Sequence, residues 1–262
     1  MKNTEEIRDL AIKTHDIDAD KFQSAYAGNK SPYDDVFLYG RAFIGKEIMQ
    51  ALSLLPKGAK ILDIGCGTGH LAAEMKSQGF EVYGMEPSKD MIGHARKNFP
   101  DIEFKEGVSV ALPYADNQFD FIISIEVLRY LSPDDVVNTY KEIQRVLKKD
   151  GTFLITHVNK YATDFYYVFF HLKDLMKKIT GQHHHYCYFT TAGTEMDILK
   201  KLNYASSHSY GRMFGSIRIG YKFGIGIGKL YAKFLEVFSK GQLFKSNPWR
   251  AFAGHLFLFG KK

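Results

Sequence analysis

The sequence predicts an α/β protein built on a doubly wound sheet, and three observations carry that expectation. Short apolar runs alternate with segments of helical spacing from Lys60 to His157. A glycine-rich turn, Asp63-Ile64-Gly65-Cys66-Gly67-Thr68-Gly69, joins the first run to the first helical segment. An acid, Glu86, closes the second run, twenty-one residues beyond Gly65. Strands alternating with helices at this rhythm imply parallel strands covered on both faces.

The elements follow in order. Lys60 to Ile64 is an apolar run that stops at glycine, and His70 to Gln78 has helical spacing through Leu71, Ala72 and Met75 before Gly79. Phe80 to Met85 reads as the second strand, Asp90 to Asn98 as a helix ending before Pro100, and Ile102 to Lys105 and Phe119 to Ile125 as further strands. Ser132 is placed to cap a helix with Pro133 at its first position and Gly151 just past its end. Thr152 to His157 reads as the fifth strand, Asp164 to Lys178 as an aromatic-rich helix, Thr191 to Leu202 as another helix, and Tyr204 to Tyr210 and His255 to Phe259 as the last strands.

At 262 residues and 45% apolar the chain can bury one sizeable core. We expect residues 1–50 to form an N-terminal helical cap and 51–160 the ligand-binding core. Residues 161–262 would complete the core and carry insertions at about 161–188 and 212–250. Cys66 and Cys187 are too few for a disulfide framework and fit a reducing compartment. The first twenty residues have no apolar signal region, and no uncharged apolar stretch reaches about 18 residues. A cytoplasmic location is expected, with peripheral membrane contact left open. The charge is uneven. Residues 212–262 hold ten bases against Glu236, a surplus of nine that leaves residues 1–211 at −3 within a total of +6. A basic, aromatic region on a mildly acidic body points to an anionic partner at a defined place.

Glycines at a strand-to-helix turn let the backbone approach a ligand closely, and the free N–H groups of the helix start attract a carboxylate or phosphate. An acid at the spacing of Glu86 can accept both hydroxyls of a ribose. The dinucleotide fingerprint requires its third glycine where this chain has His70, and the Gly-Lys-Ser/Thr of a phosphate loop is missing. What remains, Asp-x-Gly-x-Gly-x-Gly, resembles the first motif of the class I S-adenosylmethionine-dependent methyltransferases. Glu86-Pro87-Ser88 with Met91 resembles their second motif, Leu112-Pro113-Tyr114 and Phe119-Asp120 their Leu-Pro and Phe-Asp blocks, and Leu147 to Gly151 their post-strand turn. The resemblance covers roughly residues 55 to 160 and points to the small-molecule and quinone-type branch.

The resemblance implies a Rossmann-like, doubly wound sheet of seven strands with the last antiparallel, helical lid insertions, and S-adenosyl-L-methionine as cofactor. It places Gly65, Cys66, Gly67 and Gly69 in the cofactor turn, Asp63 at the methionyl part and Glu86 at the ribose. The acid that usually reaches the adenine would fall at Val108, before Ser109, so adenine would rest on backbone groups and on Met85 or Met91. Ile125 would pass under the sulfonium, and Tyr26 and Arg41 belong to the segment that closes over the cofactor in relatives, together with Tyr33 and Tyr39.

Methyl transfer needs in-line approach and good positioning; a base is needed only if the acceptor must lose a proton. Candidates beyond the strand ends are Glu126, Arg129, Tyr130, His157 and Asn159. Ile125 to Tyr130 is similar to the Glu-x-Leu-x-His block of quinone and small-molecule methyltransferases, with Tyr130 where the histidine stands. His157 is the expected base and Tyr130 a hydrogen-bond donor. His183, His184 and His185 lack the spacing that converges metal ligands, so no metal is expected. The expected acceptor is a small molecule, a metabolite, sugar or lipid-like compound methylated at O or N. The alternatives are RNA bound by the basic region, which the acidic body argues against, and a non-catalytic cofactor-binding scaffold. Oligomeric state has no signature here.

Overall fold

The computed structural model describes residues 3–26, 31, 33–34, 36–162, 166–179, 186–212, 217–239 and 249–262. Helices α1 (Thr4–Ala25) and α2 (Val36–Leu52) precede the sheet. α1 starts with a capping box: the Asn3 side chain accepts the Glu5 N–H and Glu6 accepts the Asn3 N–H, satisfying donors the helix cannot use itself.

β1 (Lys60–Ile64) runs parallel between β2 (Glu81–Glu86) and β4 (Phe119–Ser124), with β3 (Glu103–Glu106) beyond β2. β5 (Leu147–Asn159) follows β4 in parallel, then come β8 (His255–Lys261) and β7 (Ser206–Arg212), so the order is β3-β2-β1-β4-β5-β8-β7. β8, the last strand of the chain, is antiparallel to both neighbours. This is the expected seven-strand path. A two-residue eighth strand, β6 (Phe189–Thr190), adds in parallel to the end of β5 at Val158 and Asn159.

Both faces are covered. On one, α2, α3 (His70–Ser77) and α4 (Lys89–Asn98) bury Ile48, Met75 and Ile92 against Ile61, Phe121 and Leu154. On the other, α5 (Pro133–Val146) and α7 (Ala192–Lys201) bury Tyr140, Ile143 and Leu199 against Leu62, Ile122, Phe153 and Ile155. Strand side chains alternate between these faces with period two. Ser132 caps α5 by accepting the Asp135 N–H at 3.2 Å, with Pro133 at the first turn as expected.

One boundary differs. Gly151 lies inside β5, which begins at Leu147 and shifts register against β4 between Phe119 and Phe121. A Cβ on Gly151 would come within 2.9 Å of the Lys148 carbonyl, so this irregular strand start requires glycine. The insertions hold α6 (Tyr166–Ile179), after β5, and α8 (Ile217–Lys222) with α9 (Ile225–Ser239), between β7 and β8.

Candidate active site

A cavity of about 560 Å³ opens at the carboxyl ends of β1, β2 and β4. Its floor is the glycine turn. Gly65 and Cys66 both donate their N–H to the Met85 carbonyl, at 2.7 and 3.1 Å, clamping the turn to β2. Gly65 adopts φ +74°, and a Cβ there would sit 2.2 Å from Val127 Cγ2, so no side chain fits. Gly67, at φ +54°, meets only Met91 Sδ at 3.9 Å: its missing side chain leaves space in the cavity.

Two acids close the ends of β1 and β2. Glu86 accepts the Gly67 N–H through Oε2 and the Ser88 N–H through Oε1, both at 3.0 Å. Burial pushes its carboxyl up, while those two N–H groups and nearby His15 act the other way. Asp63 is 2% exposed, and its Oδ2 has no hydrogen-bond partner. Burial holds its carboxyl at about 7; the Arg41 charge pulls it down and Glu86 pushes it up. An orphaned buried carboxylate oxygen costs free energy unless a ligand satisfies it.

The roof comes from the N-terminal helices. Arg8, His15 and Phe22 of α1 and Phe37 and Arg41 of α2 line the cavity. Tyr26, at the end of α1, stacks on the His70 ring with 3.9 Å between centroids. α1 is tied to α4: Asp16 accepts the Ser88 hydroxyl, Asp20 meets His94 at 3.0 Å and Gln23 accepts from Asn98 at 3.0 Å. His15 Nδ1 is 2.7 Å from the Ala11 carbonyl, which makes Nδ1 the donor in that bond.

At the far wall, Glu126 takes the left-handed conformation, φ +64°, directly after Ile125. Its carboxylate accepts from Arg129 Nη1 at 2.9 Å and faces His255 Nε2 at 3.0 Å. Burial alone would raise this carboxyl, but the charges and hydrogen bonds of His255 and Arg129 outweigh it and hold it well below the usual carboxylate range. Tyr130, beside this cluster, meets His15 edge-on at 4.8 Å.

Most of the expected site residues therefore meet at one cavity: Asp63, Gly65, Cys66, Gly67, Glu86, Met91, Val108, Ser109, Ile125, Tyr26, Arg41 and Tyr130 all line it. Cys66 turns its sulfur toward Gly84, and burial raises its thiol well above the ordinary value, so it fills space there. Two expectations need correction. Gly69 does not line the cavity; it starts α3 at φ +83°, and a Cβ there would press on Phe104, Ala95 and Phe99, so its role is packing. His157 does not reach the cavity either. It shares the β5 face of Phe153 and Ile155, is 1% exposed, and shares a 2.8 Å hydrogen bond with Tyr140, whose hydroxyl donates to Glu195. Burial pushes the His157 ring down, away from its charged form, with Glu195 and Glu126 opposing.

A histidine does reach the far wall of the cavity, but it is His255, which pairs in register with Val158 across β5 and β8. The sequence reading missed it, and missed Arg8, His15 and Phe22 of α1. Tyr33 and Tyr39 turn away, toward Glu236 and the Ala232 carbonyl. Residues 183–185 lie outside the described residues.

Residues 61–151 match a family model described as a methyltransferase domain. The motifs quoted above fall within that span, as do the glycine floor and the two acids of the cavity. Residues 61–151 are thus a methyltransferase domain, similar to the class I S-adenosylmethionine-dependent methyltransferases. A demethylmenaquinone methyltransferase of Chlorobaculum parvum is 37% identical over 127 residues, 47% of this chain and 51% of that protein. A ubiquinone biosynthesis O-methyltransferase of Pelagibacter ubique is 30% identical over 151 residues, 56% of this chain and 62% of that protein. The chain thus spans about half the length of the first of these curated relatives. Among solved structures, magnesium protoporphyrin IX methyltransferase of Synechocystis PCC 6803 with bound cofactor superposes with a TM-score of 0.62 at 13% identity, covering 100% of this chain and 98% of that one. At that identity the likeness speaks for the fold.

The methyltransferase core fits the family's cofactor on its own geometry. The orphaned Asp63 Oδ2, the open cradle at Gly67 and the carboxylate of Glu86 surround a cavity within the usual ligand-pocket range of about 300–1,000 Å³.

Proposed function

We propose that this chain transfers a methyl group from S-adenosylmethionine to the O or N atom of a lipid-like small molecule. The observation that carries the reading is Asp63: a buried carboxylate with an unmet oxygen, set in the floor of a glycine-lined cavity. When bound, the cofactor supplies an already activated methyl on a sulfonium, so the protein's task is positioning and exclusion of water. Asp63 holds the methionyl end and Glu86 accepts ribose hydroxyls, its lone pairs exceeding the two N–H bonds it already takes. Val108, Ser109 and Met91, which line the same cavity, would border the adenine. α1 and α2 roof the site.

The acceptor side supports an apolar body with a polar reacting end. Ile125, Leu131 and Val158 offer apolar wall, and Tyr130, Arg129 and His255 offer polar groups. The two curated relatives named above carry quinone acceptors in their names, which favours the same class. Glu126, held ionised, is a poor proton acceptor; it orients His255 and Arg129, and Tyr130 donates to the acceptor heteroatom. The test is incubation of the purified chain with labelled cofactor and a lipid extract. Label in an extracted lipid, lost in Asp63→Asn, supports the reading; label only in a water-soluble product, or none in a protein that binds the cofactor, overturns the acceptor assignment.

A further inference from the structure

The two insertions leave and re-enter the sheet at the cavity end. α6 lies between Asn159, where β5 ends, and Phe189, which pairs with Val158. α8 and α9 lie between Arg212 and His255, which face each other in register at the cavity end of β7 and β8. Surface helices normally turn their polar face outward. α6 does the reverse. Val168, Phe169, Leu172, Leu175, Met176 and Ile179 are 50–78% exposed and fall at spacings of one, four, seven, eight and eleven, a single stripe along a helix about 21 Å long. Its inner face sets Tyr167 and Phe170 against Phe189, at 5.0 and 5.3 Å.

α9 repeats the arrangement. Ile227, Leu230 and Phe234 are 54–74% exposed, while Ala232 is buried against Tyr39 of α2, the helix that roofs the cavity. Charge sorts the same way on both. Lys173 of α6 and Lys233 of α9 are exposed, as is Lys222 at the end of α8, whereas Asp174 is half-buried and Glu236 accepts the Tyr33 hydroxyl at 2.9 Å. Among the described residues no helix is long and apolar enough to cross a membrane.

We infer that α6 and α9 form a docking surface for an anionic lipid bilayer and hold the acceptor end of the cavity against it. Apolar stripes flanked by lysines bind the headgroup boundary by burying the stripe and pairing the bases with acidic lipids. The inference deepens the proposed function, since a lipid-like acceptor would be drawn from that surface. The opposite occupant, a second copy of the chain, gains nothing from lysines on both stripes.

The test is co-sedimentation of the full chain with vesicles of phosphatidylcholine alone and with phosphatidylglycerol added, at low and high salt. Binding is expected to the anionic vesicles, weakened by salt. Phe169→Ser with Leu172→Ser, and separately Leu230→Ser with Phe234→Ser, should each lower binding about tenfold. Lys173→Gln with Lys233→Gln should remove the salt dependence. All variants should keep the wild-type melting temperature and calorimetric affinity for S-adenosylmethionine. Failure to bind anionic vesicles, binding unchanged in both serine pairs, or a dimer that the serine pairs dissolve would each overturn the docking surface. A chain that binds vesicles but not the cofactor would keep the docking surface and sink the methyl-transfer reading.

Discussion

Asp63→Asn separates what the fold and what the ligand ask of one side chain. The Asp63 carboxyl sits at about 7 against an ordinary 3.8, chiefly through burial. Because the folded value is the higher one, folding takes up a proton between those limits. Stability therefore falls as pH rises from 3.8 through about 7, and the full cost is present above that. The gap sets an upper bound of about 4 kcal/mol at pH 8 and leaves about 1.6 kcal/mol at pH 5. Asparagine matches the shape without the charge, but its own polar atoms need partners, at about 1–2 kcal/mol. The ligand-free variant should thus be about 2–3 kcal/mol more stable than wild type at pH 8, raising Tm by about 4–12 °C, and within a few degrees of it at pH 5. Calorimetry at pH 8 should show cofactor affinity down at least about tenfold, since the methionyl end loses its charge-assisted partner. Differential scanning calorimetry at the two pH values reads the first effect. A variant that gains no stability at pH 8, or that binds as tightly as wild type, would refute the assignment of Asp63 to the ligand.

The glycines give a second contrast. Gly67→Ala adds a methyl to open space, so it should cost only about 1 kcal/mol of backbone strain yet weaken cofactor binding; Gly69→Ala adds strain and overpacking, about 2–5 kcal/mol in thermal denaturation, with a smaller effect on binding. His157→Gln should lower Tm through its buried hydrogen bond with Tyr140 while leaving methylation rates within about threefold, whereas His255→Gln, which removes a polar partner of Glu126 from the cavity wall, should lower them by about tenfold or more. Equal losses in both would contradict the placement of the two histidines. Glu126 has the opposite linkage to Asp63: its depressed carboxyl contributes stability that is present above about pH 4.5 and lost as pH falls below it, so Glu126→Gln should flatten the acid limb of a Tm–pH curve. Asp16→Ala, which cuts the tie from α1 to Ser88, should weaken cofactor binding without moving the melting temperature by more than a few degrees.

Local chemistry explains what could be read from the chain. The Asp63–Gly69 turn, Glu86 and the capped α5 announce themselves through residues whose backbone or charge requirements are specific, and each lies where expected. The base was misread because β5 runs on to Asn159, two residues past the expected end at His157. With period-two alternation, that places His157 on the α5 side with Phe153 and Ile155, and Val158 on the cavity side. His255 reaches the cavity through antiparallel pairing with Val158, a contact between residues ninety-seven positions apart that no local pattern encodes. α1 was hard to assign a role for a similar reason. Its apolar spacing is weak, and His15, Asp16 and Asp20 acquire meaning only when α4 packs beside them. The exposed stripes of α6 and α9 were visible as crowded aromatics and bases, but which face turns outward is decided by Phe170 on Phe189 and Ala232 on Tyr39.

The central claim is that the Asp63 and Glu86 cavity holds S-adenosylmethionine, and isothermal titration of the full chain with the cofactor and with its demethylated product tests it most directly. We predict saturable binding of both at one site per chain, abolished in Asp63→Asn with Glu86→Gln. No binding of either ligand by wild-type chain that melts cooperatively, or binding that survives the double substitution, would contradict it.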